Sequence, residues 1–405
     1  MTAGGITIRV PTAEETETFR YILARNFGVD ARPDGTEGFT RLWERERAFC
    51  AWDGSEMVGT SGSFSLELAV PGGTIAAGGT TMVSVAPTHR RQGILRQMMA
   101  AHLRDVAERG EPVAALWASE ASIYGRFGYG VAAEGIDLRV PRQHTSFHRL
   151  TPAPAPVRLV DEQEARLHIP PIHERAVSLW PGFITRSEAW WDERWFKDPS
   201  DRRNGATALR FALTTSNDGY AIYRQRHKFE LGISSGELIV LDLLGTSPES
   251  WSGMWSFILN HDLPAIIDAP RRSSVDPIFD LLESPRRMTG SRRDSLWIRT
   301  NDPAAALAER RYQTEGHLVL EVVDPFMDRT VVVELEGGPD GASCRVTDKD
   351  PDLVLDIEDL GACYLGWARF RTLARSGRIG GDKTSLTLAD QMFTWDPLPW
   401  CPEFF

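Results

Sequence analysis

Thr80-Thr81-Met82-Val83-Ser84-Val85-Ala86-Pro87-Thr88-His89-Arg90-Arg91-Gln92-Gly93-Ile94-Leu95-Arg96 reads as a strand, a tight turn and the start of a helix. Met82, Val83 and Val85 make the strand apolar, and Pro87 stops it because proline offers no ladder donor. Gly93 lets the backbone come close to whatever lies over the turn. Beyond it, Ile94, Leu95, Met98, Met99, Leu103 and Val106 fall on one helix face. The first N–H groups of such a helix have no partner within it and carry partial positive charge, so the turn is a ready anion site. Arg90, Arg91 and Arg96 add fixed charge that suits phosphate. Standing alone, the stretch also fits a plain strand–helix junction with surface arginines.

The run Arg90–Leu95 resembles the pyrophosphate loop of GNAT acetyltransferases, written Q/R-x-x-G-x-G/A, with Leu95 in place of the final small residue. Further on comes Ala118-Ser119-Glu120-Ala121-Ser122-Ile123-Tyr124-Gly125-Arg126-Phe127-Gly128-Tyr129-Gly130. The pair of stretches looks like the enhanced intracellular survival (Eis) family of aminoglycoside N-acetyltransferases.

At 405 residues the chain is too long for one core, and two or three domains are expected. A hydrophobic content of 42% and a charged content of 25% are ordinary for a soluble protein. No apolar run approaches the ~20 residues that span a bilayer. Met1–Gly5 shows no basic region followed by an apolar one, so no signal peptide is expected. Cys50, Cys344, Cys363 and Cys401 form no C-x-x-C, which points to the cytoplasm, without a zinc site or disulfide framework. The net charge of −11 argues against general nucleic-acid binding and is compatible with a polycationic substrate.

In chain order, Ile6–Val10 reads as a strand and Pro11–Asn26 as a helix, with Thr12 and Glu15 at capping-box spacing. Asp30–Gly38 reads as a loop. Ala48–Trp52 and Met57–Val70 read as strands joined through Asp53-Gly54, followed by strands at Thr74–Val85 and Val113–Ala118. His144 and His148 lack a third ligand and read as surface residues. The Pro-rich Thr151–Pro156 marks a boundary. A second unit from Val157 repeats the strand–helix–strands outline, but its turn, Gly245–Ser250, has no arginine and carries Glu249, so no cofactor site is expected there. Trp190, Trp191, Trp195 and Phe196 read as core or interface in preference to a ligand cage. From Ser295 a capped helix, four strands and three helices suit an α+β unit, similar to the sterol-carrier-like last domain of the Eis family. The expected architecture is thus α/β and α+β: tandem GNAT-like domains at residues 1–150 and 151–294, then a sterol-carrier-like domain at 295–405.

The resemblance implies acetyl transfer from acetyl-CoA, a co-substrate, to an amine-bearing small molecule; the residue content adds the expectation of no metal and no nucleic-acid or membrane partner. It also implies a homohexamer of two trimers. The backbone of Val83, Ser84 and Val85 would pair with the pantetheine arm as an added strand would. Arg91, Gln92, Gly93, Ile94, Leu95 and Arg96 would take the pyrophosphate, and Ser119 and Glu120 match a third contact region. The resemblance gives Tyr124 the role of general acid and the C-terminal carboxylate, here that of Phe405, the role of general base. Read from the residues alone, Tyr124 is equally a turn tyrosine packing under its loop. A phenol titrates near ~10 and a thiol near ~8.5, so the proton must move as the C–S bond breaks, or the site must depress the phenol, with Arg126 as a local source. The tail Pro397–Phe405 is aromatic and Pro-stiffened where ordinary termini are polar. Glu403 is expected to add negative charge favouring cationic amines, and Met82 to stand where the family presents an aromatic to the pocket. A lipid- or protein-binding module with a vestigial transferase domain is the competing reading.

Overall fold

The computed structural model describes residues 5–31 and 36–405. Met1–Gly4, at the start of the stretch read for a signal peptide, lies outside the described residues. The first elements are β1 (Ile6–Arg9), α1 (Thr16–Phe27), α2 (Thr36–Leu42), β2 (Cys50–Asp53), β3 (Glu56–Val70), β4 (Gly73–Val85), α3 (Ile94–Glu108), β5 (Val113–Leu116) and β6 (Gly130–Val131). Glu15 accepts a hydrogen bond from the Thr12 N–H at 2.8 Å, one half of the capping box. Of the stretch Asp30–Gly38 read as loop, residues 32–35 lie outside the described residues and Thr36–Gly38 belongs to α2. The helix is drawn in by packing that local signals do not carry: the Phe39 ring lies 5.1 Å from Trp43 and 6.0 Å from Phe19. Asp53-Gly54 makes the expected hairpin, with Gly54 at φ +57°.

Residues Glu134–Asp294 supply β7 (Glu134–Pro141), β8 (Val157–Val160), α4 (Glu162–Val177), the one-turn α5 (Glu188–Trp190), β9 (Arg210–Thr214), β10 (Gly219–Arg226), a small hairpin β11–β12 (Phe229–Glu230, Ile233–Ser234), β13 (Glu237–Gly245), α6 (Pro248–Leu259), β14 (Ile266–Ser273), α7 (Ile278–Leu281) and β15 (Thr289–Asp294). Seven of these strands form one sheet in the order β15-β7-β14-β13-β10-β9-β8. The turn before α6 answers its own donors. Ser250 N–H bonds Ser247 Oγ at 3.1 Å, while Thr246 and Ser247 N–H groups each bond Ser250 Oγ at 3.0 Å. A turn whose amides are already used in this way has little to give a phosphate.

Trp297–Arg299 (β16) is a strand of the first sheet, between β5 and β6, although in the sequence it reads as the opening of the C-terminal domain. Non-local pairing of this kind leaves no mark in local pattern. The first sheet therefore runs β1-β2-β3-β4-β5-β16-β6. After it come α8 (Pro303–Ala308), β17 (Gly316–Asp324), β18 (Arg329–Gly338), β19 (Gly341–Val346), β20 (Leu353–Asp356), α9 (Ile357–Cys363), α10 (Phe370–Arg375), β21 (Gly380–Gly381) and α11 (Lys383–Phe393). Asp302 caps α8 by accepting from the Ala305 N–H at 3.1 Å. These strands form a separate sheet, β19-β18-β17-β20-β21.

Contacts divide the chain into two units. One holds the residues up to Ala133 with Leu296–Asp396 and Phe404–Phe405; the other holds Glu134–Ser295 with Pro397–Glu403. Within the second unit Trp400 is fully buried, with its N–H on Pro181 O and its Nε1–H on Arg271 O, each at 2.8 Å. Trp190, Trp191, Trp195 and Phe196 are buried there as core, as their sequence suggested. No helix among the described residues is long and apolar enough to cross a membrane.

Candidate active site

The opening motif folds as a strand, turn and helix around a cleft of about 660 Å³ in the first unit. β4 pairs with β5 in parallel only from Ala77 to Gly79, and farther on the two strands part company. Val83, Ser84 and Val85 line the cleft beyond that point, while Ser84 and Val85 still pair with Thr60 and Gly59 of β3 on their other edge. A bulge makes the divergence possible: the register slips between Thr60 and Gly62, and Met82 sits at φ +55°. Thr60 Oγ1 donates to Met82 O at 2.9 Å and lies 2.7 Å from Ser84 Oγ, which also accepts from Asn26 Nδ2 at 3.0 Å. The Met82 side chain packs against the Phe19 and Trp43 cluster and does not line this cleft. The positive φ at the bulge directs it inward.

Arg91, Gly93, Ile94, Leu95 and Arg96 line the cleft as expected, joined by Arg90 and His89. Gln92 is exposed and is not part of that lining. Arg91 at φ +64° and Gly93 at φ +77° turn the backbone into the start of α3. A Cβ placed on Gly93 would meet no atom within 4 Å, so the space over the turn is open. An open helix start flanked by guanidinium groups fits a pyrophosphate. Arg96 is steadied from far along the chain: its guanidinium lies 4.8 Å over the Phe326 ring and donates to Phe326 O at 3.4 Å. Phe326 sits in the β17–β18 turn, and no local feature of the sequence ties it to Arg96.

Ser119, Glu120 and Tyr124 complete the wall. Tyr124 is 5% exposed. Burial pushes its phenol pKa up, and a hydrogen bond with the Ser119 side chain only partly opposes this. The expectation that Arg126 depresses it does not hold. The Arg126 Nε–H is taken by Ile123 O at 2.9 Å, and its guanidinium lies 5.7 Å over Phe127. The glycines of this segment admit α9: a Cβ on Gly130 would fall 2.0 Å from Glu358 O, and one on Gly125 would fall 3.0 Å from Glu358 Oε2. Arg299 of β16 fixes the same loop by donating Nη1 to Phe127 O at 2.7 Å, while its Nη2 pairs with buried Asp324 at 2.5 Å. Behind the cleft, His102 Nε2 lies 2.6 Å from Thr80 Oγ1, itself 2.8 Å from Tyr129 OH. Burial drives the His102 pKa down to about 3, leaving a neutral structural group.

Phe405 does not line this cleft, yet it is 6% exposed. Its neighbour Phe404 sets its ring edge-on to Trp117, with centroids 5.7 Å apart. Trp117 follows β5 directly and precedes Ser119 and Glu120. The chain end thus stands beside the strand that leads into the cleft wall. Glu403 does not supply the free negative charge expected of it. It is 2% exposed and bound in the second unit by Arg186 Nε–H and by Trp190 Nε1–H, the latter at 3.1 Å.

Family descriptions agree with this layout. "Acetyltransferase (GNAT) domain" matches residues 7–132 and again 182–300, and "Sterol carrier protein domain" matches residues 303–402. The N-acetyltransferase Eis of Mycobacterium bovis is 34% identical, with 92% of this chain and 93% of that one covered. The chain belongs to the Eis family of GNAT N-acetyltransferases. An uncharacterized N-acetyltransferase of Streptomyces avermitilis is also 34% identical to this Eis-family chain, over 98% of it and 99% of the relative. The crystal structure of Eis1 from Mycobacterium abscessus superposes with a TM-score of 0.86 at 29% identity, covering 98% of this chain and 100% of the other. This Eis-family protein is an acetyl-CoA-dependent N-acetyltransferase with two GNAT-like domains and a sterol-carrier-like α+β domain.

Proposed function

We propose that the protein acetylates primary amines of polycationic small molecules such as aminoglycosides, with Tyr124 as general acid and the α-carboxylate of Phe405 as general base. The observation that carries this reading is the meeting, in one cleft, of the open Arg91–Arg96 turn, the unpaired edge of Val83–Val85 and the buried phenol of Tyr124. The edge of β4 holds the pantetheine arm, and the turn takes the pyrophosphate. With its pKa raised, Tyr124 keeps its proton at neutral pH and passes it on as the C–S bond breaks, because full thiolate release first would leave an uphill transfer. An amine with a pKa near ~10.4 must lose a proton before attack. His102 is locked in the core, and Glu403 is bound to Arg186, so neither serves as acceptor. His89 and Glu120 also line the cleft; the family resemblance is what puts the carboxylate of Phe405, a buried terminal residue whose neighbour Phe404 meets Trp117, ahead of them as base. Family resemblance extends the proposal to a homohexamer, which sedimentation velocity would decide.

The test uses the position of the terminus. Appending two residues after Phe405 should cut turnover roughly 10²–10⁴-fold, the contribution of one acid–base group, with the melting temperature held. A tagged enzyme at full activity would assign the base elsewhere.

A further inference from the structure

The cleft holds more positive charge than a pyrophosphate needs. Arg90, Arg91, Arg96 and Arg126 all line it, and Glu120 is its one lining carboxylate among the described residues. Among the described residues none of the four arginines makes an ion pair. Arg91 and Arg96 belong to the turn and helix start; Arg126 comes from a different element, the short turn after Tyr124. An aromatic bridge ties the two sides into one wall. The Arg96 guanidinium lies 4.8 Å over Phe326, Phe326 meets Phe127 edge-on at 5.0 Å, and Arg126 lies 5.7 Å over Phe127. The Nε–H of Arg126 is already used by Ile123 O at 2.9 Å, which aims the side chain and leaves both terminal nitrogens for a ligand.

Acetyl-CoA carries a third phosphate, the phosphomonoester on its ribose, which bears roughly −1.5 to −2 charges at neutral pH. A guanidinium with two free N–H edges and a fixed plane binds such a group in bidentate fashion. We propose that Arg126 reads the ribose 3′-phosphate of the donor and is the residue by which this enzyme prefers acetyl-CoA to acetyl-3′-dephospho-CoA. The proposal rests on the reading that the Arg91–Arg96 turn holds the pyrophosphate. It gives Arg126 a selective role distinct from that turn. The sterol-carrier-like domain contributes too, since Phe326 carries the stack that lines up the two arginines.

The experiment measures kcat/KM for both donors with one amine held at saturation, using the full chain and the variants Arg126→Gln, Arg126→Lys and Arg91→Gln. Arg126 is exposed, so its variants should fold, which melting curves would verify. The wild-type enzyme is expected to favour acetyl-CoA by about ten- to a hundredfold, the scale of a charge-assisted contact. Arg126→Gln should abolish most of that ratio by raising KM for acetyl-CoA with kcat retained, and Arg126→Lys should keep part of it. Arg91→Gln should weaken both donors alike and leave the ratio intact. Equal weakening of both donors by Arg126→Gln would place the residue on the pyrophosphate and overturn the proposal, as would an unchanged ratio. If Arg91→Gln left both donors unaffected, the pyrophosphate reading itself would fall, whatever Arg126 does.

Discussion

Arg186 donates its Nε–H to Oε1 of Glu403, and both side chains are buried within the second unit. Asp242 shares the guanidinium through Nη1 at 2.9 Å, and the Trp191 and Trp195 rings cover it at 4.5 and 4.1 Å. Burial works against the Arg186 charge, but the Glu403 and Asp242 carboxylates more than offset it and its pKa is raised. Glu403→Ala would leave a buried guanidinium with one carboxylate in place of two. Stability should fall by about 3 kcal/mol, the lower end for breaking a buried pair, because Asp242 remains. Urea denaturation reads this directly, and a change under about 1 kcal/mol would show that the site relaxes or hydrates.

Tyr124→Phe keeps the ring packing against Tyr129, whose centroid is 6.2 Å away, and removes only the proton donor. Turnover should drop roughly 10²–10⁴-fold with acetyl-CoA affinity almost unchanged. In the unmodified enzyme the raised phenol pKa should hold the acid protonated, so no alkaline loss of kcat from this group is expected below the ordinary tyrosine range. Near-normal turnover of the Phe variant would reduce Tyr124 to packing.

Gly93→Glu places a side chain at φ +77° in the open space over the turn. The left-handed backbone should cost about 1–2 kcal/mol of stability. Acetyl-CoA affinity should suffer more, by about a hundredfold, since the carboxylate opposes the pyrophosphate. Calorimetry with unchanged affinity would move the donor out of this cleft.

Asp359, 2% exposed beside Arg378, has its pKa raised to about 6 by burial, which outweighs the attraction of Arg378. An acid that binds its proton more tightly in the folded state stabilises most below its unfolded pKa, and this contribution is lost as pH rises through the folded value. The melting temperature should therefore carry a declining component between about pH 4 and 6 that Asp359→Asn removes. Glu358 still holds Arg378 at 2.7 Å in that variant. Parallel pH profiles for the two proteins would assign the titration to another group.

The sequence by itself determined the strand–turn–helix of Thr80–Arg96, because a proline stop, a left-handed glycine and a helical apolar face are local signals, and each acts within a few residues. It also carried the tandem order of domains. It singled out two stretches, around Val83–Arg96 and Ser119–Tyr124, whose residues line one cleft.

Tertiary structure alone decided the rest. Trp297–Arg299 closes the first sheet, and Phe326 steadies Arg96, because pairing across such separations depends on which surfaces the whole chain can bury. Nothing local marks why residue 130 is a glycine; the backbone of α9 approaches it too closely for a side chain. Glu403 reads as a free charge near the end of a tail, and its fate depended on Arg186, on a distant segment with no local sign of a partner. The charge state of a group is set by burial and neighbours, both products of folding. For that reason the sequence left two routes open for the Tyr124 proton, and burial, which raises the phenol pKa, favours transfer during C–S cleavage over a depressed phenol.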